Sequence, residues 1–443
     1  MIIQKFGGSS IGNAERIQKV CSIISKTFVS HGSKDDSLVV VVSAVGGITD
    51  LLINCAQCEN DKEKEKQLAV IITKHLDILK DLNLAEETIS DILKELAHTM
   101  RIEVMSAQTM DIVQSYGERL SSRIVAGCLS TIGIQSKAYD AFDIGFVTND
   151  EFGNAEITPA TYPNIRKKLH HFTGVPVVTG FIAKNEAGEI TTLGRGGSDY
   201  TAAIIGAALN ASEVQIWTDV NGIMTADPRV VKDKAKTIPV VSITEASELA
   251  YFGAKVLHPK TILPVMNKNI PVKILNTFEP NHPGTIIVNH LKEADITPVK
   301  AITFKRKIQV INISSLRMLD SHGFLARVFD IFGKYKVVVD MISTSEVSIS
   351  VTVDDKVNVS KVIEELKEFS KVTLEKNKSL LCLVGEKHKY TPGMAGKVFS
   401  ILGKENINVE MISQGASEVN ISFVIDNSEI EKAVLKLHAG FFE

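Results

Sequence analysis

One stretch of this chain occurs twice, and that constrains its architecture more than any composition does. A shift of 70 residues carries Gly323–Ser343 onto Gly393–Ser413. Gly323, Val328, Phe329, Ile331, Gly333, Lys334, Val339, Met341, Ile342 and Ser343 all land on the same residue. Past a two-residue insertion, Glu346-Val347 answers Glu418-Val419. Each copy reads as loop, amphipathic helix, strand, turn, strand, with Leu325, Val328, Phe329 and Phe332 on the first helix face. Ser348–Val353 alternates like a half-buried strand, and Val359–Phe369 and Ile430–Leu437 supply a second helix to each copy. The pattern predicts two small β-α-β-β-α-β units, about 310–378 and 380–443, with room for strands to be exchanged between them. Such a pair has the geometry of a receptor more than of a catalyst.

The rest of the chain has a different rhythm. Up to residue 290, short β-branched runs (Val39–Val42, Val175–Thr179, Val214–Thr218, Val272–Leu275) alternate with helical patterns at Ala14–Thr27, capped by Asn13, and Asp199–Leu209. That order implies an α/β domain, 1–290, with a mostly parallel sheet sandwiched by helices. Residues 61–116 are rich in Lys, Glu, Leu and Ile and predict a helical insertion, a lid or an interface element. The stretch 278–298, with Pro280, Pro283, Gly284 and Pro298, is the best linker to a regulatory region at 291–443.

A length of 443 residues calls for two or three cores. A net charge of -3 speaks against nucleic acid or membrane partners, and Lys305-Arg306-Lys307 reads as a solvated strand end. No run of about 18 uncharged apolar residues occurs, and the first residues lack the pattern of an export signal. Five scattered cysteines, Cys21, Cys55, Cys58, Cys128 and Cys382, fit a reducing cytoplasm. The single Cys55-x-x-Cys58 lies in a helical pattern and reads as structural rather than as a metal site.

Three strand-to-helix turns of the first domain carry adjacent glycines: Lys5-Phe6-Gly7-Gly8-Ser9-Ser10, Ser43-Ala44-Val45-Gly46-Gly47-Ile48-Thr49, and Gly194-Arg195-Gly196-Gly197-Ser198-Asp199. Glycine lets the backbone approach a ligand, and the following helix offers unpaired N–H groups. Two of the turns also hold a cation, Lys5 or Arg195, so the set points to phosphate and carboxylate binding. The Walker and GxGxxG patterns are absent, which argues against a P-loop NTPase, a Rossmann dehydrogenase and a protein kinase.

Lys5–Ser10 resembles the opening motif of aspartate kinases in the amino-acid kinase family, and Gly194–Asp199 that family's second glycine motif. Trp217–Arg229 resembles its nucleotide-side loop, Phe252–Pro259 a further aspartate-kinase motif, and the repeats resemble paired ferredoxin-like ACT domains. The resemblance spans essentially the whole chain. It implies ATP-dependent phosphorylation of the side-chain carboxylate of L-aspartate, with Mg²⁺ carried on phosphate oxygens and water and no dedicated protein ligands for the metal.

It also implies roles. Lys5 lies between donor phosphate and acceptor carboxylate, Asp199 orients Lys5 or caps its helix, and Lys255 sits on the phosphates. Gly7, Gly8 and Ser9 donate to phosphate oxygens, and Ser43, Thr49 and Ser198 add neutral hydrogen bonds. Arg195, beside Gly196, holds the substrate α-carboxylate and Glu118 its ammonium, although residues alone would make Glu118 a surface glutamate. Thr218, Asp219, Met224, Asp227 and Arg229 form the nucleotide pocket, where Met224 replaces the expected aromatic. His258 reads as structural.

In the regulatory region the resemblance is to lysine-inhibited aspartate kinases. It implies an effector site for L-lysine at Met318, Ser321, Gly323, Phe324, Leu325, Val339, Asp340, Thr344, Ser345 and Glu346, with Asp340 and Glu346 facing an ammonium. The second repeat differs at Pro392 and Gln414 and is expected to serve pairing, in a homodimer. Two alternatives remain open: a kinase of glutamate or an N-acetylated amino acid, and a catalytically inert amino-acid sensor.

Overall fold

The computed structural model describes residues 1–31, 37–102, 104–169, 171–252, 257–318, 322–414 and 419–443. The chain forms two compact units. One comprises Met1–Ile223, Pro239–Ile243 and Val256–His290; the other comprises Met224–Ile238, Thr244–Lys255 and Leu291–Glu443. Among the described residues no helix is long and apolar enough to cross a membrane.

The first unit is built on β1 (Ile2–Phe6), β2 (Leu38–Val42), β3 (Ser136–Tyr139), β5 (Val175–Thr179), β8 (Glu213–Thr218), β9 (Val240–Ser242), β10 (Val272–Asn276) and β11 (Thr285–Val288). They lie in the order β3-β5-β2-β1-β8-β10-β11-β9. All neighbouring pairs are parallel except β10 with β11. All five residues of β2 and of β5 are buried, as expected of strands covered on both faces. β4 (Val147–Thr148), β6 (Ile182–Asn185) and β7 (Ile190–Thr192) make a separate small sheet. Thr285–Val288 falls inside the proline-rich stretch expected to be linker; its residues, alternately buried and half-buried, instead form a strand between β10 and β9.

β1 is the point where the strand order reverses, with β2 on one side and β8 on the other. In open parallel sheets the connections leaving such a strand part to opposite faces and open a crevice at the carboxyl ends. Lys5 and the first glycine turn stand at that end.

The helix Ala14–Ser30 starts where Asn13 Oδ1 accepts from Arg16 N at 2.9 Å. The insertion consists of helices Asp61–Asp81, Ser90–Thr99 and the start of Ala107–Thr131. It is no free lid: Ile71, Ile78, Leu79, Ile92 and Leu96 join one apolar core with Ile17, Ile24, Val40 and Val42. Cys55 is buried and Cys58 partly so, both as free thiols.

The second unit carries the sequence repeat. Its sheet runs β13 (Met341–Thr344), β14 (Ser348–Asp354), β12 (Ala301–Ser314), β15 (Lys371–Val384), β17 (Asn420–Asp426), β16 (Met411–Ser413). The helices Phe324–Lys334 and Met394–Lys404 correspond residue for residue, each opening on a glycine, Gly323 at φ 81° and Gly393 at φ 80°. Even the positive φ of Lys336 (53°) recurs at Asn406 (57°). β12 and β15 are 14 residues each and pair along their length. Their far halves serve different copies: Ile308–Ser314 pairs with β14, while Leu380–Val384 pairs with both β17 and Ala301–Lys305. Lys305–Lys307 is therefore not a strand end. It sits mid-strand at a register shift, with Lys307 at φ 54°.

Each copy has its own core, Val328, Phe332, Val351 and Val362 in the first and Val398, Leu402, Phe423 and Val434 in the second. Ala226 and Val231 belong to the second of these cores, which is why residues 224–238 fold with the repeats and not with the preceding strand.

Candidate active site

Lys5 is the fourth residue of β1, and its ammonium lies 2.6 Å from Asp199 Oδ1, both side chains only slightly exposed. Asp199 is in the first turn of the helix Gly197–Leu209, whose N-cap is Gly196 at φ 74°. Its carboxylate is spent on Lys5, so the capping alternative is not what the side chain does. This ion pair ties the third glycine turn to the first.

The first and second turns touch through backbone. A Cβ on Gly8 would stand 2.8 Å from Ala44 O and 3.3 Å from Gly46 Cα, so only glycine permits the approach. Gly7 N–H, expected at the phosphates, instead donates to Trp217 O at 3.3 Å. The amides of Gly8, Ser9, Gly46 and Gly47 donate to none of the described residues. Two adjacent turns with four open donors make an anion cradle.

Glu118 is no surface residue. It is buried within the helix Ala107–Thr131, and Oε1 accepts from Ala44 N at 3.1 Å in the second turn. Oε2 is buried without a hydrogen-bond partner. Burial pushes this carboxyl up to about 8, against smaller downward pulls from the Ala44 amide and Lys5. A buried carboxylate oxygen with an open valence suits a cationic ligand group, which would restore its ionised form.

The remaining first-unit residues fall around these. Ser43 is half-buried, and its carbonyl accepts from Ser121 Oγ at 2.6 Å. Thr49 is half-buried, Ser198 buried, and Arg195 exposed at the third turn. Thr218 ends β8 and donates to Asp219 Oδ1 at 3.2 Å.

Sequence reasoning missed the groups that hold the turns from behind. Arg16 Nη1 donates to Ser9 O at 2.8 Å, Ser10 Oγ meets Thr277 Oγ1 at 2.7 Å, and Lys74 Nζ donates to Gly46 O at 2.7 Å. Lys74 and Thr277 lie 28 and 267 residues from the groups they hold, and no local motif marks them.

In the second unit, Met224 is half-buried and bridges to Thr237. Asp227 caps the short helix Pro228–Val231 through Arg229 N at 2.8 Å and binds the Arg229 guanidinium at 2.7 Å, which holds its carboxyl below the usual range. The two expected nucleotide contacts thus face each other. Lys255 lies outside the described residues.

Of the effector positions, Ser321 also lies outside them. Met318, Phe324 and Val339 pack on the first repeat's core, and Leu325, Thr344, Ser345 and Glu346 are exposed. Asp340, expected to face a ligand ammonium, is engaged: Lys305 Nζ is 2.7 Å from Oδ2, and Tyr251 OH donates to Oδ1 at 2.8 Å.

Comparison with known proteins gives this arrangement its relatives. The model of the amino acid kinase family matches residues 1–276, and the ACT domain model matches 311–368 and 381–441. Aspartokinase 1, chloroplastic, of Arabidopsis thaliana is 40% identical over 100% of this chain and 80% of its own length. The E. coli aspartokinase III structure with aspartate and ADP (R-state) is 34% identical with a TM-score of 0.83, and each chain is covered at 100%. The same enzyme with lysine and aspartate (T-state) gives a TM-score of 0.81 at 34% identity, again covering 100% of both chains. With the kinase model over more than half of its length and relatives aligned end to end, the chain belongs to the amino acid kinase family, in its aspartokinase branch.

Proposed function

We propose that this chain transfers the γ-phosphate of ATP to the β-carboxylate of L-aspartate, giving 4-phospho-L-aspartate, and that L-lysine inhibits it. The observation that carries the reading is the Lys5–Asp199 pair beside two touching glycine turns with open amides, at the strand where the sheet order reverses. The relatives' names and the aspartate and ADP bound to the R-state neighbour support it.

The acceptor is a carboxylate, ionised at neutral pH because its pKa is about 4, so no general base is needed. The barrier is the approach of one anion to another. Lys5 neutralises charge on the transferring group, and the amides of Gly8, Ser9, Gly46 and Gly47 supply donors that need no reorganisation. Asp199 fixes Lys5. Glu118 takes the substrate ammonium on Oε2, and Arg195 its α-carboxylate as a bidentate fork. Lys255, Thr218, Asp219, Asp227 and Arg229 serve the nucleotide.

Mg²⁺ fits as a guest of the triphosphate. Asp199 is bound to Lys5 and burial disfavours ionised Glu118, so neither is free to ligate the ion, which would be held through the nucleotide and would supply charge neutralisation there. An N-acetylated substrate has no ammonium for Glu118, which favours a free amino acid. Trapping the acyl phosphate with hydroxylamine tests this: aspartate gives hydroxamate, glutamate does not, and Lys5→Met abolishes it. Product from Lys5→Met at the wild-type rate refutes the reading.

Lysine acts at the first repeat, near Gly323–Leu325 and Val339–Glu346, and must bind an inactive arrangement more tightly. The lysine-bound T-state neighbour supports this. Millimolar lysine lowers the initial rate; an unchanged rate refutes it. The repeats pair in a homodimer, which sedimentation equilibrium tests.

A further inference from the structure

The insertion helix Asp61–Asp81 has no part in the chemistry above, yet one of its side chains ends at the second glycine turn. Lys74 Nζ donates to Gly46 O at 2.7 Å. The helix that carries it is held firmly: neighbouring His75 is fully buried with Nδ1 at 2.8 Å from Ile71 O, and Ile71, Ile78 and Leu79 are locked in the first unit's core. The target is a peptide that cannot hold itself. It lies between Gly46 and Gly47, with Gly47 at φ 79°, and two glycines allow the plane between them to turn over at little cost. A trans peptide points its C=O and its N–H in opposite directions. Fixing the Gly46 carbonyl on Lys74 therefore aims the Gly47 N–H the other way, and that amide has no described partner. The same peptide stands against the first turn, where a Cβ on Gly46 would lie 3.0 Å from Gly8 O.

We propose that Lys74 is a positioning residue for phosphoryl transfer: its ammonium holds the Gly46–Gly47 peptide so that the turn presents an N–H, not a carbonyl, to the anionic ligand. A flipped peptide would put a carbonyl oxygen where negative charge gathers, so the orientation counts twice, as a donor gained and a repulsion avoided. This gives the insertion a catalytic use that its apolar packing does not require. The inference rests on the aspartate kinase reading.

The test compares wild type, Lys74→Met and Lys74→Arg in a coupled ADP-release assay, with thermal melts of all three. Lys74→Met lowers kcat/KM for ATP by about tenfold or more, the loss expected for a charge-assisted hydrogen bond. It leaves KM for aspartate within about threefold and the melting midpoint unmoved. Lys74→Arg, which can still donate to Gly46 O, recovers most of the rate. Unchanged ATP kinetics in Lys74→Met, or Lys74→Arg falling as far as Lys74→Met, overturns the proposal. If wild type releases no ADP with aspartate, the kinase reading fails instead. Calorimetric titration with Mg·ATP then decides Lys74: about tenfold weaker binding by Lys74→Met upholds the positioning role, and equal binding overturns it.

Discussion

Glu118 should impose a pH dependence on aspartate use that few carboxylates could. Its Oε1 has one amide, from Ala44, and its Oε2 has none, inside a fully buried site. Burial outweighs those contacts and pushes the carboxyl up to about 8. At pH 7 only about one-tenth of the free protein then carries the charge that an ammonium needs, at pH 8 about half, and at pH 9 about nine-tenths. Because kcat/KM reports groups in the free enzyme, kcat/KM for aspartate should rise about fivefold from pH 7 to pH 8. The kcat measured at saturating aspartate should be flatter, since the bound ammonium stabilises the ionised form. Glu118→Gln keeps an acceptor for Ala44 N–H but loses the charge. It should remove the rise and lower kcat/KM at pH 8 by about 10²- to 10³-fold, the loss expected when one partner of a buried pair is removed. Stability gives an independent check with a defined sign. The folded carboxyl holds its proton to about 8 whereas the unfolded one releases it near 4.5, so the folded state binds more protons between those values. Unfolding free energy should therefore fall as pH rises from about 4.5 to 8, by up to about 1.4 kcal/mol per pH unit, and Glu118→Gln should lose this slope. A flat kcat/KM profile between pH 6.5 and 8.5, together with unaltered aspartate kinetics in Glu118→Gln, would refute the assignment.

Three further outcomes are expected. Lys300 and Glu245 form a buried pair at 2.9 Å in the second unit, and Glu245 also accepts from Glu386 N at 3.0 Å, so Lys300→Met should cost about 3–5 kcal/mol in urea unfolding. Loss of less than about 1 kcal/mol would show the pair to be dispensable. His75 is buried with Nε2 unpartnered, and burial lowers its pKa to about 4, so stability should be lost as pH falls from 6.5 towards 4, by up to about 1.4 kcal/mol per unit. His75→Leu should lack that acid limb in denaturation at pH 7 and 4.5. Gly8→Ala, whose Cβ would meet Ala44 O at 2.8 Å, should part the two turns and lower kcat at least about 100-fold. Gly133→Ala, a left-handed position at φ 81° where a Cβ would meet nothing within 4 Å, strains its backbone but stands far from the turns in sequence, and should leave kcat near wild type.

The parts of the molecule legible in the sequence are those whose physics is local. The repeat of Gly323–Ser343 at Gly393–Ser413 reappears as two helices with matching left-handed glycine caps, because a cap and an apolar face need only their own neighbours. The strands Val175–Thr179 and Val272–Asn276 were readable for the same reason, as were the three glycine turns. What failed locally was burial. Glu118 reads as an exposed helix glutamate until the second turn covers it, and Lys305–Lys307 as a strand end until the register of β12 with β15 runs past it.

The order of turns, the repeats and the charged residues beside the glycines were thus set by sequence alone, since spacing and residue type carry them. Only the tertiary structure decided that the turns touch, that Lys74 reaches across to one of them, and that Ala226 and Val231 belong to the second repeat's core. Those facts depend on which distant segments exclude water from one another, and no local pattern encodes the identity of the partner.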